Sequence, residues 1–412
     1  MWTLTQLAAR NLWRNARRTV ITLMALVFGL VFVHVAVVMQ TGQYEEMIRV
    51  GVGSLAGHVV VQADGYQDNK DTDLVLEGAD RVRDTLTAQF PEATVAPRMF
   101  LGGLLTSTTG SVGAGLSGID PGAEAKVQDL PEKIIEGDWL DDDRGVVIGA
   151  KMAESLSVTV GDKVVWMGQY GDNPDMVSRL FRVKGVFQTG AAELDGFLAL
   201  AHIDATRALF GGGDVAHQVT LHIADPGRSR AATDQAQLAL AAAPGLEVLS
   251  WSEALPSIYG LIQLDRKSGD AMLIIILIIV TMGVLNTVLM SALERTREFG
   301  VMLALGMKPR RLAGVILMEG LLLGIIGSLL GLAAGVAVST PIVAYGIDYS
   351  GMMGAETIES GGIAISALMK GAWNPWRMGI YTVGAMMFTT LAAVYPAIHV
   401  ARLMPVDAMR HV

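Results

Sequence analysis

The chain has 412 residues, of which 51% are hydrophobic and 17% are charged, and its formal net charge is −9. Its mean hydropathy of +0.44 is typical of a protein with several membrane-spanning segments. The excess of acidic residues argues against nucleic acid as a partner. Because the sequence contains no cysteine, disulfides, thiol catalysis and cysteine-ligated metal sites are excluded.

Long apolar stretches predict a membrane protein. The clearest stretch runs from Ala271 to Leu293 without a charge, and about 20 apolar residues suffice to cross the hydrocarbon core. The first stretch follows a basic segment but ends without a small-residue cleavage site, so we expect a retained anchor and not a cleaved signal peptide. The predicted spans are residues 19–40, 271–293, 312–340 and 378–398.

The sequence between the first two spans, residues 41–270, is long enough for one or two folded domains. The expected fold class is therefore an α-helical membrane protein with four transmembrane helices and a large mixed α/β extracytoplasmic domain inserted between helices 1 and 2. Apolar periodicity and turn signals predict strands at 57–62, 146–148, 180–187 and 246–251, helices at 151–156 and 228–244, and stalk helices at 43–55 and 252–267 that extend the first two spans.

Basic residues set the expected orientation, because Lys and Arg near span ends are retained in the cytoplasm. They are concentrated in residues 1–18, in the loop 294–311 and in the tail 399–412, whereas the loop 341–377 carries only Lys370 and Arg377. We therefore expect both termini and the 294–311 loop in the cytoplasm, and the large domain outside it. Within the 341–377 loop, the stretch GGIAISALMKGAW suggests a short re-entrant or surface helix.

Motifs of enzymatic chemistry are largely missing. The sequence has no phosphate-cradling G-x-x-x-x-G-K-[ST], no H-E-x-x-H and no G-x-S-x-G. The stretch GAGLSG at 113–118 matches G-x-G-x-x-G, but IDP follows it in place of a helix, which favours a bend in a sheet over a dinucleotide site. We expect no catalytic residue, no metal and no cofactor bound by this chain.

Polar residues and glycines inside the spans have structural explanations. For His34, a hydrogen bond inside the helix bundle is favoured over a proton relay. For Glu319, a structural role, in which it reaches the membrane interface or pairs with Arg310 and Arg311, is favoured over a transport role. Glycines recur along the third span and predict close helix packing, at Gly320, Gly324, Gly327, Gly331 and Gly335.

A charged segment, residues 294–311, follows directly on the second span. The sequence suits a helix from Glu294 to Leu305, with Gly306 as a left-handed cap and Pro309 preventing simple continuation. By physics alone, two interpretations are equally good. The segment is either a helix lying under the lipid headgroups with its arginines snorkelling, or a docking helix for a cytoplasmic protein.

The segment ERTREFGVMLALGM, residues 294–307, resembles the coupling segment of the FtsX/MacB/LolC-E superfamily of ABC transporter permeases. Other parts of the chain resemble the same superfamily in the same order. They are the basic amphipathic N-terminal helix (RNLWRNARRTVIT), the extracytoplasmic domain (SGIDP, EGDWL, VVIGAKMAESLSVTVGDKV and LFRVKGVF) and the C-terminal signature (YPAIHVARLMPVDAMR, residues 395–410).

The resemblance implies a non-enzymatic permease of the bacterial inner membrane. Two such subunits, identical or homologous, pair in the membrane above a dimer of soluble ATPases that binds ATP and Mg²⁺. Closure of the ATPases is transmitted through the coupling segment to the periplasmic domains. The residues of this chain that match the coupling segment are Glu294, Arg295, Arg297, Glu298, Phe299, Gly300 and Met302.

Within the superfamily, GHVVVQADGY and VLSWSEALPSIYGLIQLD look most like lipoprotein-releasing permeases of the LolC/LolE kind. Such permeases hold lipoprotein acyl chains between spans one and two and pass them to a periplasmic carrier. The alternatives are a MacB-like exporter of peptides or small molecules that works through an adaptor, and an FtsX-like regulator of cell-wall hydrolases. The positions that match the acyl-chain cavity are Phe28, Phe32, Val35, Met39, Met47, Ile48, Leu261, Leu264, Ile274 and Ile278.

Overall fold

The structure is a computed structural model that describes residues 2–14, 16–54, 56–170, 175–353, 357–360 and 363–402. The chain divides into two compact units. We call the first the spanning unit; it comprises Met1–Glu45, Gln263–Asp348 and Met369–Val412. The second, the head unit, comprises Glu46–Ile262 and Tyr349–Leu368.

Helices and strands both contribute to the described chain. The helices are α1 Trp2–Arg14, α2 Ala16–Ser54, α3 Tyr66–Asn69, α4 Ala79–Gln89, α5 Pro121–Glu124, α6 Ala150–Leu156, α7 Ala192–Phe197, α8 Ile203–Phe210, α9 Ser229–Ala239, α10 Trp251–Ala254, α11 Pro256–Glu294, α12 Thr296–Ala304, α13 Pro309–Tyr345, α14 Ser350–Met353, α15 Pro375–Ala392 and α16 Val394–Ala401. The strands are β1 Val59–Ala63, β2 Leu76–Glu77, β3 Thr94–Thr106, β4 Ser111–Ile119, β5 Ile134–Gly137, β6 Gly145–Gly149, β7 Lys163–Gly168, β8 Val177–Phe187, β9 Leu198–His202, β10 Val215–Ala216, β11 Gln218–His222, β12 Leu246–Ser250, β13 Ile347–Asp348, β14 Thr357–Ser360, β15 Ile363–Ser366 and β16 Leu368–Met369.

The spanning unit contains the apolar helices that the sequence predicts. Among the described residues, four helical segments are long and apolar enough to cross a membrane, and each contains one of the four predicted spans. Both α2 and α11 have 39 residues. At about 1.5 Å per residue each is about 58 Å long, roughly twice the thickness of a hydrocarbon core. These two helices therefore extend well beyond a membrane span.

Glycines let the spanning helices approach closely. On one side of α13, a Cβ built on Gly331 would lie 2.7 Å from Leu30 Cδ1 of α2, and one on Gly335 would lie 2.6 Å from His34 Cδ2. On another side, Gly324 of α13 meets the backbone of α15. Larger side chains would separate these helices, so the predicted close packing at the third span is confirmed.

His34 lies in this packed interface between the spans. Its Nε2 is 3.2 Å from Thr382 Oγ1 of α15, and its side chain is fully buried. The predicted hydrogen bond inside the bundle is therefore confirmed.

The segment after the third span differs from expectation. Helix α13 continues through Pro341 to Tyr345, and the chain then forms short strands. Strand β15 pairs antiparallel with β14, and no helix covers the described part of 361–373, so the helix suggested there is wrong. The sequence IAIS alternates isoleucine with small residues, and this period of two suits a strand.

A six-stranded barrel forms one lobe of the head unit. Strand β3 pairs with β4, and the ring continues through β9, β6, β8 and β7 back to β3. Two pairs, β4 with β9 and β6 with β8, are parallel, and the other pairs are antiparallel. Trp166 and Phe181 are among the buried side chains that fill the barrel. This lobe includes GAGLSG, which lies in strand β4 and forms no nucleotide-binding turn.

A second lobe is built on the other end of β3. Strands β12, β1, β11 and β3 form an antiparallel sheet, against which α4 and α9 pack through residues such as Leu86 and Ala236. Thr94–Arg98 pair with β11, whereas Met99–Thr106 pair with β4 of the barrel. Strand β3 is therefore the element common to both lobes.

Most predicted elements of the head unit are present. The four predicted strands correspond to β1, β6, β8 and β12, and the predicted helix at 151–156 corresponds to α6. The helix predicted over 228–244 ends earlier, at Ala239.

The predicted stalk helices differ from each other. Helix α2 runs without interruption to Ser54, and Leu55 lies outside the described residues. The stalk helix predicted at 252–267 is interrupted, because α10 ends at Ala254 and Pro256 begins α11. Proline lacks a backbone N–H and fixes φ, so it suits the first turn of a helix and not its interior.

Candidate functional site

The segment predicted to couple the chain to a cytoplasmic partner folds as the short helix α12. After the helix, Gly306 adopts φ +93°, the left-handed conformation expected of a glycine that ends a helix. Pro309 lies in the first turn of α13. The predicted glycine cap and the predicted break in the helix before Pro309 are therefore confirmed.

One face of α12 is buried within the spanning unit. Thr296, Phe299 and Gly300 are buried, and the guanidinium of Arg295, just before the helix, lies 4.9 Å from the Phe299 ring centroid. Phe299 packs with Leu312 and other apolar residues of the neighbouring helices. Three of the predicted coupling residues, Arg295, Phe299 and Gly300, therefore fix the helix to its own chain.

Glu319 of α13 holds the buried face through an ion pair. Its Oε1 is 3.1 Å from Nη1 of Arg295 and accepts a hydrogen bond of 2.7 Å from Asn11 Nδ2 of α1. The predicted structural pairing of Glu319 is therefore confirmed, but its partner is Arg295 and not Arg310 or Arg311. Those arginines lie eight or nine residues earlier on the same helix, about 12–14 Å along its axis.

Two further arginines tie the N-terminal helices to residues 294–298. Arg14 Nη2 donates to both carboxylate oxygens of Glu298 at 2.7 Å, and Arg18 makes a two-pronged pair of 2.6 and 2.8 Å with Glu294. The hydrogen bond from Arg14 holds the pKa of Glu298 below its usual range. The charges on this side of α12 are thus largely neutralised within the chain.

The opposite face of α12 is uncovered. Arg297, Val301 and Leu305 follow one another at four-residue intervals, which places them on one stripe, and Leu305 is 83% exposed. Among the described residues, none of the ion pairs involves Arg297. Met302 is half-buried and lines a groove of about 630 Å³ between α1 and α12, together with Leu7, Trp13 and Met307. We call Arg297, Val301 and Leu305 the docking stripe.

The residues matched to an acyl-chain cavity have different surroundings in the two units. In the spanning unit, the side chains of Phe28, Phe32, Leu264, Ile274 and Ile278 are exposed, while Val35 and Met39 are half-buried. In the head unit, Leu261 is exposed, Ile48 is half-buried and Met47 is buried. Exposed members thus occur on both α2 and α11, whereas Met47 presents little surface to a ligand.

A polar cluster that the sequence did not predict lies at the ends of the spans that are farthest from α12. Arg377 of α15 pairs with Asp270 of α11 and donates a 2.8 Å hydrogen bond to Gln40 of α2. Tyr381 Oη donates to the same Asp270 carboxylate at 2.7 Å. The charged residues at the predicted span ends were the only sequence signal of this cluster. Nothing in their spacing indicates that three helices bring them together.

Two family models together match most of the chain. Residues 19–239, just over half of the chain, match the family model of the MacB-like periplasmic core domain. Residues 271–405 match the model of the FtsX-like permease C-terminal domain. The chain belongs to the FtsX/MacB superfamily of ABC transporter permeases. The predicted family is therefore confirmed, although residues 403–410 of its C-terminal signature lie outside the described residues.

Individual relatives include both lipoprotein-releasing and exporting permeases. The lipoprotein-releasing system transmembrane protein LolC of Neisseria meningitidis serogroup B is 23% identical over 95% of this chain and 94% of its own length. The macrolide export ATP-binding/permease protein MacB of Nitrobacter winogradskyi is 26% identical over 64% of this chain and 38% of its own. The chain is thus an ABC transporter permease of the LolC/E and MacB type, a type found in the inner membrane.

Among solved structures, the periplasmic region of MacB from Actinobacillus actinomycetemcomitans matches 53% of this chain and 98% of its own. It is 19% identical, with a TM-score of 0.39.

Proposed function

We propose that this permease receives motion from a separate dimeric ATPase, which holds ATP and Mg²⁺, and uses it to release lipoproteins from the inner membrane to a periplasmic carrier. Two permease subunits, identical or homologous, would pair in the membrane. Both termini and α12 would lie in the cytoplasm and the head unit in the periplasm, as the distribution of Lys and Arg favours.

The proposal that α12 couples the permease to the ATPase rests on one observation: one face of α12 is buried and the other is exposed. A helix that receives force needs one face attached to the spans and another open to the partner. The helix is attached through Arg295 to Glu319 of α13 and through the exposed Glu298 to Arg14 of α1. The docking stripe is free for contact. Of the residues matched to the coupling segment, Arg297 is therefore the one we assign to contact with the ATPase, and Arg295, Glu298 and Phe299 transmit its movement.

Exposed apolar side chains on α2 and α11 support a lipidated cargo. Phe28, Leu264 and Ile278 have large apolar side chains that α2 and α11 leave uncovered. Each buried CH₂ of an acyl chain contributes about 0.8 kcal/mol, so such a surface suits acyl chains without any hydrogen-bonding group. The LolC relative that aligns along 95% of the chain favours the same cargo.

A second candidate function is export of peptides or small molecules through a periplasmic adaptor. The MacB-like match over residues 19–239 favours it, because this is the region that would contact such an adaptor.

Mass spectrometry of the complex purified without ATP tests the cargo. We expect acylated protein to copurify with the native complex. Replacing Ile278 by glutamine should lower its amount about tenfold, since losing contact with two CH₂ groups removes roughly 1.6 kcal/mol. The matched control is Ile380→Gln, an exposed isoleucine of α15 outside the proposed cavity, which should retain the cargo. A native complex that carries peptides or small molecules but no acylated protein would support the exporter and contradict lipoprotein release.

A further inference from the structure

Strand β3 carries an arginine that is fully buried. The Arg98 side chain is 2% exposed and that of its partner Glu124 is 0% exposed. Arg98 Nε and Nη2 donate to the two oxygens of the Glu124 carboxylate at 2.5 and 2.9 Å, and Gln128 donates to the same carboxylate. This is a two-pronged ion pair with the geometry that fixes a guanidinium in one orientation.

The remaining hydrogen bonds of Arg98 go to the end of α2 and to Ala56 just after it. Its Nη2 donates to Gly53 O at 2.9 Å, and its Nη1 lies 3.5 Å from Ser54 O and 3.4 Å from Ala56 O. The last carbonyl groups of an α-helix have no partner within the helix and carry its partial negative charge. Arg98 therefore caps α2 from a strand of the head unit.

The last two turns of α2 are also contacted from another direction. Arg49 Nη1 pairs with Asp129 at 2.7 Å, and a Cβ built on Gly53 would lie 3.1 Å from the carbonyl oxygen of Val127. The segment that contains Glu124 thus contacts the same turn whose carbonyls Arg98 binds. All of these residues belong to the head unit.

Arg98 occupies a special position along β3. It is the last residue that pairs with β11 of the second lobe, and Met99 is the first that pairs with β4 of the barrel. A displacement applied at Arg98 therefore reaches both lobes through one strand.

We propose that Arg98 is a positioning residue of the transport cycle, which fixes the end of α2 to β3 so that movement of the helix is carried into the head unit. Without it, the connection between α2 and β1 would absorb that movement. The inference rests on the proposed coupling function. It adds the joint through which motion leaves α2, together with Glu124 as the residue that orients Arg98.

The test compares the native chain with a double variant, Arg98→Met with Glu124→Gln. Changing both residues avoids leaving an unpaired charge in the core, and the glutamine still accepts from Gln128. The matched control is Arg207→Met, which breaks an arginine pair with Asp80 and Asp214 in the same unit but does not contact α2.

Spin labels report the joint directly. Because the chain has no cysteine, Val50→Cys on α2 and Gln235→Cys on α9 accept labels without background. We expect a narrow distance distribution in the native background and in Arg207→Met, and a distribution at least about twofold broader in the double variant. An unchanged width in the double variant would overturn the proposal.

Release of a synthetic triacylated lipopeptide from proteoliposomes, with the copurifying ATPase, provides the functional readout. We expect the double variant to hydrolyse ATP at the native rate but to release the lipopeptide about tenfold more slowly, whereas Arg207→Met matches the native chain. Native release by the double variant, or an equal loss in Arg207→Met, would contradict the role of Arg98. If the native protein itself releases none, the proposed cargo is wrong, and the spin-label widths still decide whether Arg98 forms the joint.

Discussion

Replacing Glu319 by leucine should destabilise the spanning unit far more than removing a neighbouring surface carboxylate. The Glu319 and Arg295 side chains are only 9% and 8% exposed. Breaking a buried pair by removing one partner costs about 3–5 kcal/mol, because the other charge stays buried. Arg295 keeps Glu298 at 3.3 Å, so we expect a loss near the lower limit, about 3 kcal/mol.

The control is Glu298→Leu. Glu298 and its partner Arg14 are 45% and 52% exposed, and pairs of this kind contribute about 0–1 kcal/mol. Equilibrium unfolding in mixed detergent micelles, followed by circular dichroism, gives the free energy of unfolding for each variant. Adding Arg295→Met to Glu319→Leu should recover at least half of the loss, because no unpaired charge then remains. Equal losses for Glu319→Leu and Glu298→Leu would refute the reasoning.

Two other substitutions test packing and protonation by the same unfolding measurement. Gly331→Ala should lower the free energy of unfolding by about 1–3 kcal/mol, because the added Cβ meets Leu30. The control Gly384→Ala, where an added Cβ has nothing within 4 Å, should be neutral or slightly stabilising. Equal effects of the two substitutions would contradict the close packing at Gly331. Burial, assisted by Arg98, lowers the pKa of His222 to about 2. Below about pH 6.5 the unfolded state takes up a proton at this histidine, whereas the folded state keeps the imidazole neutral. The free energy of unfolding therefore has its full value above that pH and declines by about 2 kcal/mol by pH 5. His222→Asn should remove this decline, and an unchanged pH profile would contradict the assignment.

The spans and the bounds of α12 could be predicted because their signals are local. An apolar run such as Ala271–Leu293 identifies a span by length, and Gly306 and Pro309 mark the ends of helices by their backbone preferences. The strands of the head unit were found for the same reason. Period-two alternation, as in β8, depends on neighbouring residues only.

Pairings between distant segments could not be predicted. Asn11 and Glu319 are 308 positions apart, and Arg98 reaches α2 only because β11 and β4 hold β3 in place. In the sequence, Arg98 is an ordinary basic residue in a strand, with no signal of burial. Which face of α12 is buried and which is exposed likewise could not be predicted, because it depends on α1 and α13, which cover one side of the helix.

The most direct test of the account is whether the docking stripe is required for coupling. The variant is Arg297→Glu with Leu305→Asp, and the control is Arg266→Glu, an exposed arginine of α11 outside α12. The measurement is ATP hydrolysis by the partner ATPase with each permease in proteoliposomes, together with the amount of ATPase that copurifies. We predict that the docking-stripe variant folds normally but loses the ATPase and its stimulation, while Arg266→Glu retains both. Native stimulation by the docking-stripe variant would contradict the claim that α12 receives the motion of the ATPase.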